Sequence, residues 1–273
     1  MQASSTWTPP TGTLGGIVAE ARERAALLRP SEVELAESAA VATPAPSMIA
    51  ALRAVSVGVI AEVKRRSPSK GWINSNLSAV DQAQAYERGG AAAVSVLTEP
   101  AHFGGSVADL IGVRDSVKIP VLKKDFHVDP VQLIEAKALG ASAALLIVRA
   151  LSPDALIEMI EVARGLSLEV IVEVRDEGEL TRALAAGAAI VGINNRNLET
   201  LVIDPATADR MLDLVPPGVI AIAESGVAHR RDVERVASRG ADAVLVGSVL
   251  SAADDPTTSV RALTGVPRVS RGG

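Results

Sequence analysis

The 273-residue chain carries a net charge of −5 at pH 7 and contains no cysteine. The acidic balance argues against a nucleic-acid partner, which usually needs a basic face, and the lack of cysteine excludes a disulfide framework, a thiolate nucleophile and a cysteine-ligated metal. No stretch approaches about 18 uninterrupted apolar residues, and the N-terminus lacks a signal pattern, so we expect a cytoplasmic protein that makes no use of a membrane.

The first part of the chain, residues 1–57, precedes every strand-like run and carries its own helical patterns. One of them places Ile17, Ala21, Arg24 and Leu28 at helical spacing. We therefore expect residues 1–57 to form a helical extension of the domain that follows, and to be a candidate lid over one of its ends.

Eight short apolar runs then recur, and the segments between them have the length and periodicity of helices. Continuous apolar runs are typical of parallel strands, which are buried on both faces. We predict a single α/β domain: a (β/α)8 barrel over residues 58–263 with the N-terminal helical extension, and a disordered tail at 264–273. The predicted strands are 58–64, 92–99, 119–125, 143–148, 168–174, 189–196, 219–226 and 243–248, and the predicted helices are 77–88, 106–115, 130–139, 153–164, 176–186, 205–214, 229–239 and 256–263.

The ends of several predicted helices carry recognisable markers. A capping side chain followed by proline suits a helix N-terminus, and it occurs at Asp129, Ser152, Asp204 and Asp255. A glycine after the last turn suits the left-handed conformation that often ends a helix, and we expect this of Gly89, Gly140, Gly187 and Gly240.

Ionisable residues end several of the predicted strands, where the catalytic groups of such barrels lie. Glu62 and Lys64 are two residues apart and face the same side, so they form either a structural ion pair or part of a site. Of Lys123 and Lys124 only one can face inward, and the spacing does not say which. With Glu173, these groups converge on one barrel mouth, which points to a polar ligand there.

A second group of residues at strand ends is suited to binding an anion. Ser225 and Gly226 follow the seventh strand, and Gly247 and Ser248 follow the eighth. Loops at these two positions often bind phosphate through backbone N–H groups, so we favour phosphate binding over plain turn chemistry. After the sixth strand, Arg196 either binds a carboxylate or phosphate or pairs with the nearby Glu199; its position favours the ligand role.

The remaining polar and aromatic candidates are weaker. The histidines lack metal-ligand spacing, and we interpret all of them as non-catalytic: His102, His127 and His229. The loop at 67–71 after the first strand is long enough to be a mobile active-site loop. Trp72 and Phe103 lie beyond strand ends, where each could stack on an aromatic ligand or merely pack within a loop.

Seven segments carry a family resemblance: AEVKRRSPSKG at 61–71, VSVLTEPAHFGGS at 94–106, PVLKKDF at 120–126, EVIVEV at 169–174, GINNRNLETL at 192–201, IAESGV at 222–227 and AVLVGSVL at 243–250. Taken together, they resemble the indole-3-glycerol phosphate synthase family of tryptophan biosynthesis over about residues 12–263. The resemblance implies a TIM barrel with extra N-terminal helices and no metal or organic cofactor. It also implies a carbon–carbon lyase that closes the ring of 1-(2-carboxyphenylamino)-1-deoxyribulose 5-phosphate with loss of carbon dioxide and water.

By this resemblance, Lys124 is the general acid and Glu173 the general base. Glu62 and Lys64 assist ring closure and dehydration, and the further polar groups of the catalytic set are Asn194 and Glu224. The resemblance assigns substrate and phosphate binding to Ser67, Arg196, Ser225, Gly226, Gly247 and Ser248, and the apolar walls around the aryl ring to Phe103, Phe126 and Leu198. A lysine acid must stay protonated and a nearby glutamate ionised, which their proximity would favour.

Other functions remain open at this point. A related phosphosugar barrel, phosphoribosylanthranilate isomerase, resembles the chain less because that family relies on a cysteine base. A Schiff-base aldolase using Lys64 or Lys124 is conceivable, as is a phosphate-binding barrel without catalysis. In each case the expected partner is a small phosphosugar, and the chain is expected to be a monomer or a weak homodimer.

Overall fold

A computed structural model of the chain describes residues 7–271, and a closed barrel of eight parallel strands forms its centre. Each strand pairs with its neighbours along the chain, and the last pairs with the first. This confirms the predicted (β/α)8 barrel. The strands are β1 Gly58–Val63, β2 Ala93–Leu97, β3 Val121–Lys124, β4 Ala143–Ile147, β5 Glu169–Val174, β6 Ile190–Asn194, β7 Ile220–Glu224 and β8 Ala243–Val246.

Every strand lies within its predicted run, but most end one or two residues before that run does. β6, for example, ends at Asn194, whereas the prediction extended to residue 196. The apolar part of each run is buried on both faces, as parallel strands in a barrel require. The polar residues that follow leave the hydrogen-bonded ladder, and several of them line the mouth of the barrel.

Helices join successive strands and precede the barrel. They are α1 Gly12–Leu28, α2 Glu32–Val41, α3 Met48–Leu52, α4 Ala79–Arg88, α5 Pro100–Phe103, α6 Val107–Ser116, α7 Pro130–Ala138, α8 Pro153–Gly165, α9 Glu177–Ala185, α10 Ala206–Met211, α11 Arg230–Ala237, α12 Ser248–Ser251 and α13 Pro256–Arg261. Short 3-10 turns cover Arg29–Ser31, Val148–Ala150 and Leu212–Leu214. A small antiparallel hairpin, Arg66–Ser67 with Gly71–Trp72, follows β1.

The predicted helix markers are mostly confirmed. Side chains cap the N-termini of α7, α8 and α13, through Asp129, Ser152 and Asp255. Two details differ. Asp204 accepts a hydrogen bond from the backbone of Ala206 at 3.1 Å, but α10 begins at Ala206 and Pro205 is its N-cap residue. After α4 the left-handed residue is Gly90 (φ +91°), because Gly89 (φ −73°) still continues the right-handed turn.

The core has two parts, one inside the barrel and one between the barrel and its helices. Both consist almost entirely of branched aliphatic and alanine side chains, in keeping with a chain whose aromatic content is only 2%. Such residues fill the layered interior of a barrel without cavities. The inner cluster is continuous with residues of α1 and α3, so the N-terminal helices belong to the same hydrophobic core as the barrel.

The two ends of the barrel are covered by different parts of the N-terminal extension. At the N-terminal ends of the strands, Glu169 of β5 accepts hydrogen bonds from the hydroxyl of Ser47 (2.6 Å) and the backbone of Ile49 (2.9 Å), which anchors α3. At the opposite end, Leu14 and Ile17 of α1 line the cavity at the mouth. Residues 1–6 lie outside the described part of the chain.

The C-terminal segment corrects one prediction. We expected disorder from residue 264, but Val266 is buried and its carbonyl accepts the backbone N–H of Val57 at 2.8 Å. Arg268 and Arg271 both pair with the buried carboxylate of Asp242. A buried aspartate needs such partners, so residues 264–271 pack against the bottom of the barrel, while residues 272 and 273 lie outside the described range. Within residues 7–271, none of the helices has the length and apolar character needed to cross a membrane.

Candidate active site

The mouth of the barrel holds a network of buried charges from the strand ends. Lys124, the last residue of β3, lies with its ammonium nitrogen 3.2 Å from Glu62 Oε2 and 3.3 Å from Glu224 Oε2. The ammonium of Lys64 lies 2.5 Å from Glu62 Oε1. Glu62 and Glu224 are almost completely buried. Three strands on different sides of the barrel therefore bring their charges to one point.

These contacts fix the charge states of the network. Burial would lower the pKa of Lys124, but the carboxylates of Glu62 and Glu224 outweigh it and raise that pKa well above its ordinary value. Burial would likewise raise the pKa of Glu62, but Lys64 and Lys124 lower it to about 2. At neutral pH Lys124 is thus a protonated ammonium beside an ionised Glu62.

Glu173 differs from the expectation of an ionised glutamate close to Lys124. Its nearest polar contact is the amide of Asn194, which donates a hydrogen bond of 2.9 Å to Glu173 Oε1. Burial, and then repulsion from Glu224, raise the pKa of Glu173 to about 8. Lys124, which pairs with Glu62 and Glu224, offsets this rise in the pKa of Glu173 only in part. Glu173 is therefore mostly protonated at neutral pH.

Two glycines give the carboxylates room. A Cβ atom at Gly192 would collide with Oε1 of Glu224, and one at Gly247 would collide with Glu62 Oε1 and Lys64. Gly247 was predicted as part of an anion site; Gly192 begins one of the matching motifs but was not predicted as a site residue. A glycine inside a strand is the available signal, since it often marks a place where a neighbouring group approaches closely.

The structure separates the two adjacent lysines. Lys123 points away from the mouth and is only 2% exposed, with its ammonium 2.8 Å from Glu135 of α7. His127 lies beside it, with Nε2 at 3.5 Å from the same ammonium and Nδ1 at 2.8 Å from the carbonyl oxygen of Leu145. The sequence left open which lysine faces inward, and the geometry gives that position to Lys124.

The predicted anion-binding residues meet on one side of the mouth. Ser225 (φ +64°) and Gly226 (φ +85°) form a left-handed turn after β7, and Gly247 precedes the short helix α12, which Ser248 begins. The hydroxyl of Ser67, from the loop after β1, is buried with no hydrogen-bond partner among the described residues. All five residues line one cavity with the charged network.

Arg196 lies in the loop after β6 and lines the same cavity. It does not pair with Glu199; its guanidinium donates to the carbonyl of Leu201 at 3.1 Å, and its backbone N–H donates to the side chain of Asn194 at 2.9 Å. Glu199 instead pairs with Arg149 at 2.9 Å. The guanidinium of Arg196 thus lacks a carboxylate partner within residues 7–271 and is available to an anionic ligand.

Glu199 has a role that the sequence analysis missed. Its carboxylate accepts the backbone N–H of Thr11 at 2.7 Å, and its backbone carbonyl accepts that of Thr13 at 3.3 Å. It thereby joins the N-terminus of α1 to the loop that carries Arg196 and Leu198. No local sequence signal indicates this contact, because its two sides are far apart in the chain.

The cavity itself has a volume of about 260 Å³ and is apolar at one side. Phe103 and Phe126 lie with ring centroids 6.1 Å apart, and Leu198 lies against the same cluster. Leu14 and Ile17 of α1 complete this side. The cavity therefore combines an apolar region, a charged centre and a glycine-rich region, as an amphipathic ligand with a flat apolar group and a phosphate would require.

The other aromatic and histidine candidates lie away from this centre. Trp72 is 60% exposed, and the guanidinium of Arg66 lies 5.7 Å from its ring centroid. His229 precedes α11 as its N-cap residue. His102 contacts Glu20 at 2.9 Å.

Glu20, Glu99 and His102 are close enough to hold a metal ion, which spacing alone did not suggest. Glu99, however, is the N-cap of α5 and accepts the backbone N–H groups of the helix's first turn. Its oxygens also lie 3.5 Å from Arg24. This cluster is therefore explained as a helix cap and an ion pair.

Comparison with known proteins identifies relatives. A family model described as "Indole-3-glycerol phosphate synthase" matches residues 15–263. "Indole-3-glycerol phosphate synthase 1" of Streptomyces coelicolor is 49% identical over 247 residues, covering 90% of this chain and 91% of the relative. The "Indole-3-glycerol phosphate synthase" of Parafrankia sp. is 52% identical over 208 residues, covering 76% and 78%.

Solved structures of more distant proteins share the fold. The 3-hexulose-6-phosphate synthase of Salmonella typhimurium superposes with a TM-score of 0.60 at 16% identity, covering 76% of this chain and 96% of that one. Thiamine phosphate pyrophosphorylase of Pyrococcus furiosus gives a TM-score of 0.58 at 17% identity, covering 76% of this chain and 93% of that one. At such low identity these similarities concern the barrel alone.

Proposed function

The chain belongs to the indole-3-glycerol phosphate synthase family, and we propose that the charged network at its barrel mouth performs the ring closure of that family. The substrate is 1-(2-carboxyphenylamino)-1-deoxyribulose 5-phosphate, a small phosphosugar with an aryl carboxylate. The ring carbon that bears the carboxylate attacks the ketose carbonyl carbon, and the carbonyl oxygen takes up a proton. Carbon dioxide then leaves, the hydroxyl departs as water, and loss of a proton completes the indole.

The observation that carries this proposal is the position of Lys124. Its ammonium lies between Glu62 and Glu224 and faces the cavity. Its raised pKa keeps a proton on the nitrogen until a stronger base, the oxygen of the attacked carbonyl, develops beside it. A neutral amine would be needed for a Schiff-base aldolase, so the same raised pKa argues against Lys124 as the lysine of such an aldolase.

Glu173 is suited to the role of general base. Its pKa of about 8 lies close to the pH at which an enzyme works, which is where a base is most effective. The hydrogen bond from Asn194 orients the carboxyl group. Because Glu173 must be ionised to accept a proton, we expect turnover to increase as the pH rises through about 8.

Glu62 and Lys64 form a second acid–base pair next to Lys124. Lys64 lines the cavity and can bind the substrate or donate a proton to the departing hydroxyl, while Glu62, 2.5 Å from its ammonium, remains ionised. Glu224, whose Oε1 has no hydrogen-bond partner among the described residues, can accept one from the substrate. These roles agree with the family resemblance, which implies that Glu62 and Lys64 assist ring closure and dehydration.

The two ends of the substrate have separate binding regions. The phosphate fits the glycine-rich turns after β7 and β8, where backbone N–H groups can approach it closely; the residues are Ser67, Ser225, Gly226, Gly247 and Ser248. The aryl ring fits between Phe103, Phe126 and Leu198, and Arg196 is placed to bind the carboxylate.

The first test is product formation. The purified protein should convert the phosphosugar to indole-3-glycerol phosphate, followed by indole fluorescence, at the same rate with and without a metal chelator. A folded protein that forms no product would overturn the proposal.

The separation of catalysis from phosphate binding is tested by Lys124→Ala and Glu173→Gln. Both should lose most turnover while still binding a phosphate analogue, since the phosphate region is on the other side of the mouth; an equal loss of binding would contradict that separation.

A further inference from the structure

A second, smaller cavity of about 140 Å³ lies beside the main one, at the ends of β5 and β6. It is mainly polar, in contrast to the apolar side of the main cavity. Its distinctive residues come from the segment after β5, the loop after β6 and the turn after β4, and include Arg149, Arg175, Asp176, Glu179 and Asn197. None of these residues has a part in the ring closure described above.

A thin wall separates the two cavities. Five residues line both of them, so each has one cavity on either side: Leu14, Ile147, Glu173, Arg196 and Leu198. Three of the five are aliphatic, and each of these comes from a different element, α1, β4 and the loop after β6. The aryl region of the main cavity is thus bounded, on this side, by a single layer of side chains.

The side cavity is suited to neutral polar groups. Its lining carries three arginines and four carboxyl groups, of which that of Glu173 is mostly protonated, so the charges roughly balance. Glu179 accepts the backbone N–H of Arg175 at 2.8 Å, and Glu199 pairs with Arg149. The Nε of Arg175 is buried without a hydrogen-bond partner in the described chain, and is free to donate. A hydroxyl group, which both donates and accepts, matches such surroundings better than a methyl group or a charge.

We propose that the side cavity is an extension of the aryl-binding region and that Leu198 determines which ring substituents the site admits. With Leu198 present, the wall confines the site to the unsubstituted ring. Shortening Leu198 joins the two cavities and admits aryl substrates that carry a hydroxyl group on the carbon facing the wall. This inference rests on the proposed function, because it assumes that the aryl ring binds against Leu198.

The test compares three leucine-to-alanine variants that remove the same atoms. Leu198→Ala and Leu14→Ala open the wall, whereas Leu145→Ala enlarges the main cavity away from the side cavity. Each variant is assayed with the parent substrate and with four analogues that carry one hydroxyl group, one at each free ring carbon. Methyl analogues serve as controls for size, and thermal unfolding shows which variants are folded.

We expect kcat/KM for one or two hydroxylated analogues, relative to the parent, to rise about tenfold in Leu198→Ala, the scale on which a pocket discriminates a group of this size. Leu14→Ala should favour the same ring positions, and the matching methyl analogues should gain less. A uniform gain at all ring positions, an equal gain in Leu145→Ala, or no gain in either wall variant would overturn the proposal. Wild-type turnover of the parent substrate is read in the same assay, so failure of the proposed function would be recognised separately.

Discussion

Lys123 and Lys124 are consecutive residues of one strand, and both are largely buried, but they face opposite sides of the barrel wall. Lys123 faces the outer layer between β3 and α7. Lys124 faces the cavity at the mouth. The same residue type therefore serves two purposes, and the difference lies in what surrounds each ammonium group.

The outer lysine has a dedicated partner. Glu135 lies 2.8 Å from the Lys123 ammonium, and His127 is held neutral because burial and then Lys123 lower its pKa to about 3. The Lys123 ammonium thus pairs with the Glu135 carboxylate, and neither residue lines the cavity at the mouth. A buried pair of this kind offsets its own desolvation and holds α7 against β3.

The inner lysine lies among more carboxylates than it can satisfy. Glu62 and Glu224 both contact it, Glu173 lies near enough to raise its pKa, and one oxygen of Glu224 lacks a partner among the described residues. This excess of acceptors beside a cavity costs stability in the free protein. It also leaves groups ready to act on a ligand, which a fully paired cluster cannot do.

The largest effect that tests the contrast between the two lysine environments is expected at the cavity, on turnover. Glu173→Gln keeps the shape of the side chain and removes the proposed proton acceptor, so turnover should fall by about a thousandfold, within the range of general-base catalysis. Steady-state kinetics with the phosphosugar would measure it. A loss below tenfold, in a variant with unchanged thermal unfolding, would mean that another group is the base.

On the outer side the expected effect is on stability. Lys123→Met leaves the carboxylate of Glu135, whose side chain is only 14% exposed, without its partner, and the free energy of unfolding should fall by about 3 kcal/mol. Urea unfolding would measure the change. A double variant, Lys123→Met with Glu135→Leu, removes both charges and should recover most of the loss; a double variant as unstable as the single one would show that the pair is not what holds this region.

A smaller effect is expected on the pH dependence of kcat/KM. Glu224 raises the pKa of Glu173, so Glu224→Gln should lower that pKa and move the rise of kcat/KM to a lower pH than in the wild type. The direction follows because Glu173 accepts a proton only above its pKa. Glu179→Gln is the matched control: Glu179 also raises the pKa of Glu173, but least among the causes, so its shift should have the same sign and be smaller. A shift to higher pH in Glu224→Gln would contradict the proposed role of repulsion.

The smallest effect is expected for an ion pair that is neither buried nor beside a cavity. Arg230 and Glu234 form an exposed pair of 3.0 Å on α11. Arg230→Ala should change the free energy of unfolding by less than about 0.5 kcal/mol, because solvent screens such pairs. A change as large as that of Lys123→Met would show that burial is not what distinguishes these pairs.

The fold could be predicted in detail because its signals are local. Apolar runs, helix periodicity and caps such as Ser152 are properties of short segments, and they placed all eight strands and the helices that follow them. Strand ends were less accurate, because a residue such as Asn194 or Arg196 can belong to the ladder or to the site, and pattern alone does not decide.

The sequence could predict which residues line the cavity, but not their charge states. Strand-end positions and the family resemblance named the residues that line the cavity, including Lys124 and Glu173. The sequence could not show that Lys124 pairs with Glu62 and Glu224 instead of Glu173, since these residues meet only across the barrel. The same reason explains why Glu199, Gly192 and the packed tail at 264–271 were missed: each depends on a contact between distant segments.

The most direct test of the contrast is one assay of Lys123→Met and Lys124→Met side by side, measuring indole-3-glycerol phosphate formation per folded molecule. We expect Lys124→Met to lose about a thousandfold in turnover, as the removal of a general acid implies, while Lys123→Met retains most of it despite its lower stability. Comparable losses in the two variants, or a greater loss in Lys123→Met, would contradict the assignment of chemistry to the inner face of the strand.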